Sequence, residues 1–236
     1  MMEEEKAVLL ASAAEGAERY DEMAEYMKER VKKGSGLSAD ERDLLSAAYK
    51  GALQQRRRAA QEVASIEEQE AAEGRRENAA LAQNYRTKVE AELQKIADDA
   101  IELLKSDLVP KAETGEPKVF YLKMQGDYCR YVAELATGEA RTRVAEEARA
   151  AYTAATEEAT KHLLPTHPVR LGLALNYSVF LHVLGNRPEA IETALSAFQS
   201  AASDIESMPE GAYRDASTTL QLLQDNLSQW MPESGH

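Results

Sequence analysis

Apolar residues recur along this chain with the spacing of helices rather than strands. Ala, Leu, Glu, Gln and Arg fill the periodic stretches, and runs of Val, Ile and Thr are almost absent, so no segment reads as a strand. Breakers divide the pattern into nine helices, over residues 3–16, 20–32, 38–74, 79–108, 117–136, 140–161, 168–184, 188–206 and 212–230. Several boundaries have a mechanism. Lys33-Gly34-Ser35-Gly36 stops the second helix, and Ser38-Ala39-Asp40-Glu41 has the form of a capping box that opens the third. Pro117, Pro168 and Pro188 stand where a first turn tolerates a missing amide. Connections this short make consecutive helices antiparallel. The expected architecture is therefore all-α, a single domain over 1–231 followed by a short tail, 232–236. The third and fourth helices would each exceed about 40 Å at ~1.5 Å per residue, long enough to carry a broad concave surface.

The pattern is broken in instructive places. In FYLKMQGDYCRYVAEL, residues 120–135, an otherwise apolar helix carries Lys123, Asp127, Arg130 and Glu134 within about 60° of one another. Phe120 and Tyr131 border that line on one side, Gly126 and Ala133 on the other. On the third helix Lys50, Gln54, Arg57 and Gln61 share a face with no carboxylate among them, where a solvated face would offer an acid at i±4. The seventh and ninth helices show the complementary kind of face. Gly172, Asn176, Val179 and Val183 align on one, and Asp215, Leu222, Asn226 and Gln229 on the other, with Thr218, Thr219 and Trp230 at its edges. Each sets an amide among small or apolar neighbours, and an amide both donates to and accepts from a main chain. Around one groove these four helices would hold an extended peptide bearing a compact dianion such as phosphate, because guanidinium forks, an ammonium and a Tyr hydroxyl suit its oxygens. From the residues alone a second reading stands beside this one: interhelical salt bridges and ordinary core.

Composition narrows the classes. Of 236 residues 44% are hydrophobic, enough for a real core, and 41 Asp and Glu outnumber 28 Lys and Arg for a net charge of −13. That excess of acid argues against nucleic acid as partner, whose phosphates demand clustered cations. The one cysteine, Cys129, cannot form an internal disulfide and falls on an apolar helix side, so it reads as core in a reducing compartment. MMEEEKAVLLASAAEG lacks the basic start and apolar stretch of a signal peptide, and no apolar run approaches the roughly 18 residues of a membrane span. The expected setting is the cytoplasm, with or without the nucleus, and no membrane insertion. His162, His167, His182 and His236 form no HExxH pair, and no phosphate-cradling Gly-rich loop or Cys pair is present, so neither an enzyme nor a bound metal or cofactor is expected.

AERYDEMAEYMK (17–28), LSADERDLLSAAYKGALQQRRR (37–58), KVFYLKMQGDYCRYVAE (118–134), PTHPVRLGLALNYSVF (165–180) and YRDASTTLQLLQDNLSQW (213–230) resemble, in order and spacing, the 14-3-3 family of phosphopeptide-binding adaptors. The likeness spans essentially the whole chain. It implies nine antiparallel helices per protomer, forming a concave groove, and a homodimeric cup, or a heterodimer with other isoforms. Residues 1–32 and parts of 57–92 would dimerise, and 38–231 would form the groove. It implies a phosphate pocket of Lys50, Arg57, Arg130 and Tyr131, with Asn176 and Asn226 holding the peptide main chain. Lys123, Gly172, Leu175, Val179, Leu222 and Trp230 would line the rest of the groove. Arg19, Glu22, Val63, Ile66, Tyr85, Lys88 and Glu92 match dimer-interface positions. The partners implied are client proteins phosphorylated on Ser or Thr, whose activity, localisation or assembly is regulated in signalling.

The chain also departs from the family pattern. Gln61 stands where the family usually has Arg, and Val183 where it usually has Glu, so preference at flanking peptide positions is expected to shift. Thr219 replaces a usual Ile and Gln229 a usual Leu; Ala59 lies where some members carry a phosphorylatable Ser. Gly51 replaces a residue with a side chain, at a cost of about 1 kcal/mol in a helix interior. The alternative is a tetratricopeptide-like scaffold for unphosphorylated peptides. Residues 173–199 look like one such helix pair, but no 34-residue period recurs elsewhere.

Overall fold

The computed structural model describes residues 3–34, 36–203 and 210–231, without the side chains of 3 and 210–215. Among them run nine α-helices and no strand: α1 Glu3–Gly16, α2 Tyr20–Lys32, α3 Ala39–Ala72, α4 Arg76–Leu103, α5 Glu116–Leu135, α6 Gly138–His162, α7 Pro168–Val183, α8 Arg187–Ala202 and α9 Glu210–Trp230. The expected tail 232–236, the final residues 204–206 of the eighth expected helix and the side chain of Asp215 lie outside the described residues. No described helix is long and apolar enough to cross a membrane.

The capping box forms as its spacing requires. Ser38 Oγ accepts from the Glu41 amide at 3.3 Å, and Glu41 Oε2 accepts from the Ser38 amide at 2.8 Å. Glu41 does a second task, taking Arg30 Nε at 2.7 Å and Nη2 at 3.0 Å, so a buried guanidinium ties α2 to the start of α3. The fourth helix departs from expectation. It stops being α-helical at Leu103 and widens into a π turn over Leu104–Leu108, where the Val109 amide donates to Leu104 O, before a 3-10 turn over Val109–Lys111. Pro110 has no amide and its ring collides with the carbonyl one turn back, so the α ladder cannot run through it.

Contacts divide the chain into two compact units. The first comprises residues 1–111 and 131–141. Its core is Met23, Met27, Leu45, Leu53, Leu93 and Leu104, packed on a bed of Ala48, Ala52, Ala97 and Ala100. Here Gly51 finds its reason: a Cβ would sit 2.4 Å from the ring of Tyr20, so the glycine lets α2 lay an aromatic ring on the backbone of α3. The second unit comprises 112–130 and 142–236. Tyr152, Phe180, Leu171, Leu173, Leu181 and Leu223 are fully buried in it, and Cys129 is core as expected. Tyr152 stacks on Tyr177 at 5.2 Å between ring centroids. On another side it covers Gly126, whose Cβ would approach its ring to 2.8 Å.

Candidate functional site

The residues expected to bind phosphate are shared between the units. Lys50, Arg57 and Tyr131 belong to the first, and Arg130, the preceding residue of α5, to the second. On α3, Lys50, Gln54 and Gln61 are exposed and Arg57 is half-buried. Arg57 does find an acid: its Nη2 donates to Glu134 Oε2 at 2.5 Å, and its guanidinium lies 4.6 Å over the Tyr131 ring. The stripe's missing carboxylate thus comes from α5, and it holds the guanidinium against an aromatic face. Lys50 has no ion-pair partner among the described residues.

In the second unit the charged line of α5 organises around Asp127, which is buried. Lys123 Nζ donates to it at 2.9 Å, Tyr152 OH at 2.6 Å, and Asn176 Nδ2 at 2.8 and 2.9 Å to its two oxygens. Burial alone would push this carboxyl up. The charges of Lys123 and Arg130 and the Tyr152 donor outweigh burial and hold it below the usual carboxylate range. Burial first, then the Asp127 charge, raises the Tyr152 phenol well above its ordinary value. Lys123 and Asn176 are therefore brought together by one carboxylate. A Cβ on Gly172 would lie 3.7 Å from Lys123 Cε, so α7 runs close beside that lysine's stem.

Of the other groove residues, Leu175, Val179 and Asn226 are half-buried, and Leu222 and Val183 are exposed by 48% and 46%. Trp230 is different: it is only 6% exposed, its ring stacked on His182 at 4.5 Å, and its carbonyl accepts Arg187 Nε at 2.6 Å. It is mainly a packing residue that fastens α9 to α7. Among the expected dimer positions, Tyr85, Lys88 and Glu92 line one cleft of about 360 Å3 with Ala59 and Arg56. Arg19, at the N-cap of α2, pairs with Glu22 of its first turn, and Ile66 and Tyr85 are more than half exposed. Val63 is half-buried.

Comparison with known proteins settles what kind of molecule this is. The family model for 14-3-3 proteins matches residues 10–231. The chain belongs to the 14-3-3 family. A 14-3-3 protein homolog of Candida albicans is 48% identical over 227 residues, covering 96% of this chain and 86% of the relative. Protein BMH2 of Saccharomyces cerevisiae is 47% identical over 236 residues (98% and 86%), and 14-3-3 protein 3 of Entamoeba histolytica is 43% identical over 231 (98% and 96%). As a 14-3-3 protein the molecule is a protein-binding adaptor, and residues 173–199 fall within the matched span as α7 and α8. The tetratricopeptide-like reading of that pair is set aside.

The departures of this 14-3-3 protein sit mostly at the surface. Gln61, Val183 and Gln229 are exposed and Thr219 is half-buried, so none of the four is a buried core position. Gly51 is the exception, required by Tyr20. Nothing in the sequence showed that Tyr152, 25 positions from Asp127, meets that carboxylate, or that Leu9 and Leu81 of the first unit stand exposed. A tyrosine at a core position of α6 gives no signal of the carboxylate its hydroxyl will meet. The two leucines were legible only as helix-forming residues.

Proposed function

We propose that this 14-3-3 protein binds client segments phosphorylated on serine or threonine, in extended conformation, and thereby regulates their activity, localisation or assembly in signalling. The observation that carries this is the state of the α3 stripe. Arg57 is clamped by Glu134 over Tyr131, while Lys50, two turns earlier on the same face, is exposed and has no ion-pair partner among the described residues. A held guanidinium and an exposed ammonium with no acid of the described residues paired to it suit a dianion far better than a neutral hydroxyl. Arg130 and Tyr131 complete the proposed phosphate set, with Asn176 and Asn226 on the main chain. Lys123, Gly172, Leu175, Val179, Leu222 and an edge of Trp230 line the remainder.

The protein works by mass action in this reading, in the cytoplasm with or without the nucleus. It acts as a homodimer, or a heterodimer with other isoforms, through Arg19, Glu22, Val63, Ile66, Tyr85, Lys88 and Glu92. Two sites on one dimer would hold two phosphosites of one client at high effective concentration. The test is a titration of one phosphopeptide and its dephosphorylated twin against wild type and Arg57→Ala. Charge-assisted hydrogen bonds of about 1.5–3 kcal/mol each predict that wild type prefers the phosphopeptide by more than about tenfold, and that Arg57→Ala loses most of that preference. Equal affinities in all four measurements would overturn the reading.

A further inference from the structure

A carboxylate has no hydrogen to give, so every group that faces it must present a donor. Asp127 faces three. Tyr152 OH and Asn176 Nδ2 reach Oδ1 at 2.6 and 2.8 Å, and Lys123 Nζ and the same Asn176 Nδ2 reach Oδ2 at 2.9 Å each. For tyrosine and lysine this fixes only where a proton points. For Asn176 it fixes more, because the two ends of a carboxamide are nearly the same size and opposite in polarity. Turned over, the amide would set its carbonyl oxygen against a buried anion. Asn176 therefore has one orientation, with Nδ2 inward on Asp127. Its Oδ1 accepts no hydrogen bond among the described residues, and the residue is half-buried rather than enclosed.

We infer that Asp127 is a positioning residue which sets the polarity of Asn176, so that Asn176 Oδ1 reads a main-chain N–H of the bound segment. This rests on the peptide-binding reading above and sharpens it. An amide free to turn would take a main-chain carbonyl or a main-chain N–H with little preference. An amide pinned by a carboxylate demands an N–H at one fixed place, which sets the register and direction of the segment. Lys123 shares the anchor. With one hydrogen committed to Asp127, its ammonium keeps two others for carbonyl oxygens.

The experiment is a backbone scan. A phosphopeptide that binds the wild type is remade with each N–H near the phosphorylated residue replaced in turn by an ester oxygen. Affinities are then measured on wild type, Asp127→Asn, Asn176→Ala and Tyr152→Phe. One ester position should cost wild type about five- to tenfold, as expected for loss of a single hydrogen bond to a pinned acceptor. That cost should fall to about twofold or less in Asn176→Ala, and also in Asp127→Asn, whose amide accepts either orientation of its neighbour. Tyr152→Phe removes a donor from the same carboxylate but leaves its charge, so the ester cost should persist there. A general loosening of the unit would instead move Tyr152→Phe together with Asp127→Asn. Unchanged ester cost in Asp127→Asn, or no costly position in wild type, would overturn the inference while leaving phosphopeptide binding intact. A wild type indifferent to phosphate would overturn both. If Asp127→Asn does not fold, hydrogen exchange of the Asn176 side chain in wild type decides: one Nδ2 proton should exchange at least about tenfold more slowly than the other, and two equally fast protons would sink the idea.

Discussion

Asp127 keeps its charge although it is buried, and that has a consequence for the whole protein's response to acid. Its carboxyl is held below the usual range in the folded state, burial opposing and the Lys123 and Arg130 charges and the Tyr152 donor prevailing. At a pH between the lowered folded value and the ordinary unfolded one, near 4, the unfolded chain binds the extra proton. The stabilisation is therefore fully present above about pH 4 and is lost as the pH falls below it, through the folded value. Urea denaturation at pH 3–6 should show wild type losing stability toward acid more steeply than Asp127→Asn. The variant should be less stable by about 1–3 kcal/mol at pH 7, where donors face a weaker acceptor. Parallel curves would mean that Asp127 titrates alike folded and unfolded. The sequence displayed Asp127 on a charged line beside Lys123, because both lie on one helix four residues apart. Its partnership with Tyr152 and Asn176, 25 and 49 positions away, depends on tertiary packing.

At the scale of elements, the close approach of α2 to α3 rests on Gly51. A helix interior glycine costs about 1 kcal/mol relative to alanine, so by propensity alone Gly51→Ala should stabilise the protein. Packing argues the opposite sign, since the new methyl would lie 2.4 Å from the Tyr20 ring and something must shift. Overpacking of this kind costs about 1–3 kcal/mol, and the larger effect wins. Gly51→Ala should therefore destabilise in chemical denaturation, and the penalty should shrink or reverse in a Tyr20→Ala background, where the space is open. Additive effects of the two changes would show that the ring yields without cost. Helix starts were readable to within three residues because caps and prolines act on the local backbone, as Ser38 with Glu41 and Pro168 do. The end of α4 was less so. Before Pro110 is reached the ladder widens into a π turn over Leu104–Leu108, a change of hydrogen-bond step that periodicity does not encode.

At the scale of the molecule, the excess of acid and the exposed apolar residues pull in different directions. Each chain carries −13, which opposes self-association at long range. The first unit nevertheless exposes Leu9, Ile66, Leu81 and Tyr85 by 51–68%, large apolar side chains that two copies could cover. Contact forces dominate at short range in physiological salt, where charges separated by more than about 8 Å are screened. Sedimentation equilibrium at low micromolar concentration should give twice the 26.0 kDa of one chain. Ile66→Asp combined with Leu81→Asp should return it to the single-chain mass. A wild type that sediments only as one chain would reject the dimer.

What the sequence determined by itself was whatever acts over a few residues. Nine helices, their caps, the apolar side that buries Cys129 and the charged lines of α3 and α5 all follow from spacings of three and four. Its matching segments, in order along the chain, carried the family as well. Tertiary structure alone decided which acid each cation meets, as Glu134 meets Arg57, and why a helix accepts glycine at position 51. It also decided which way Asn176 faces. The physical reason is one of range. Backbone geometry propagates a pattern along one helix, but hydrogen-bond polarity and close approach are set where two helices touch, and a single helix carries no record of its partner's register.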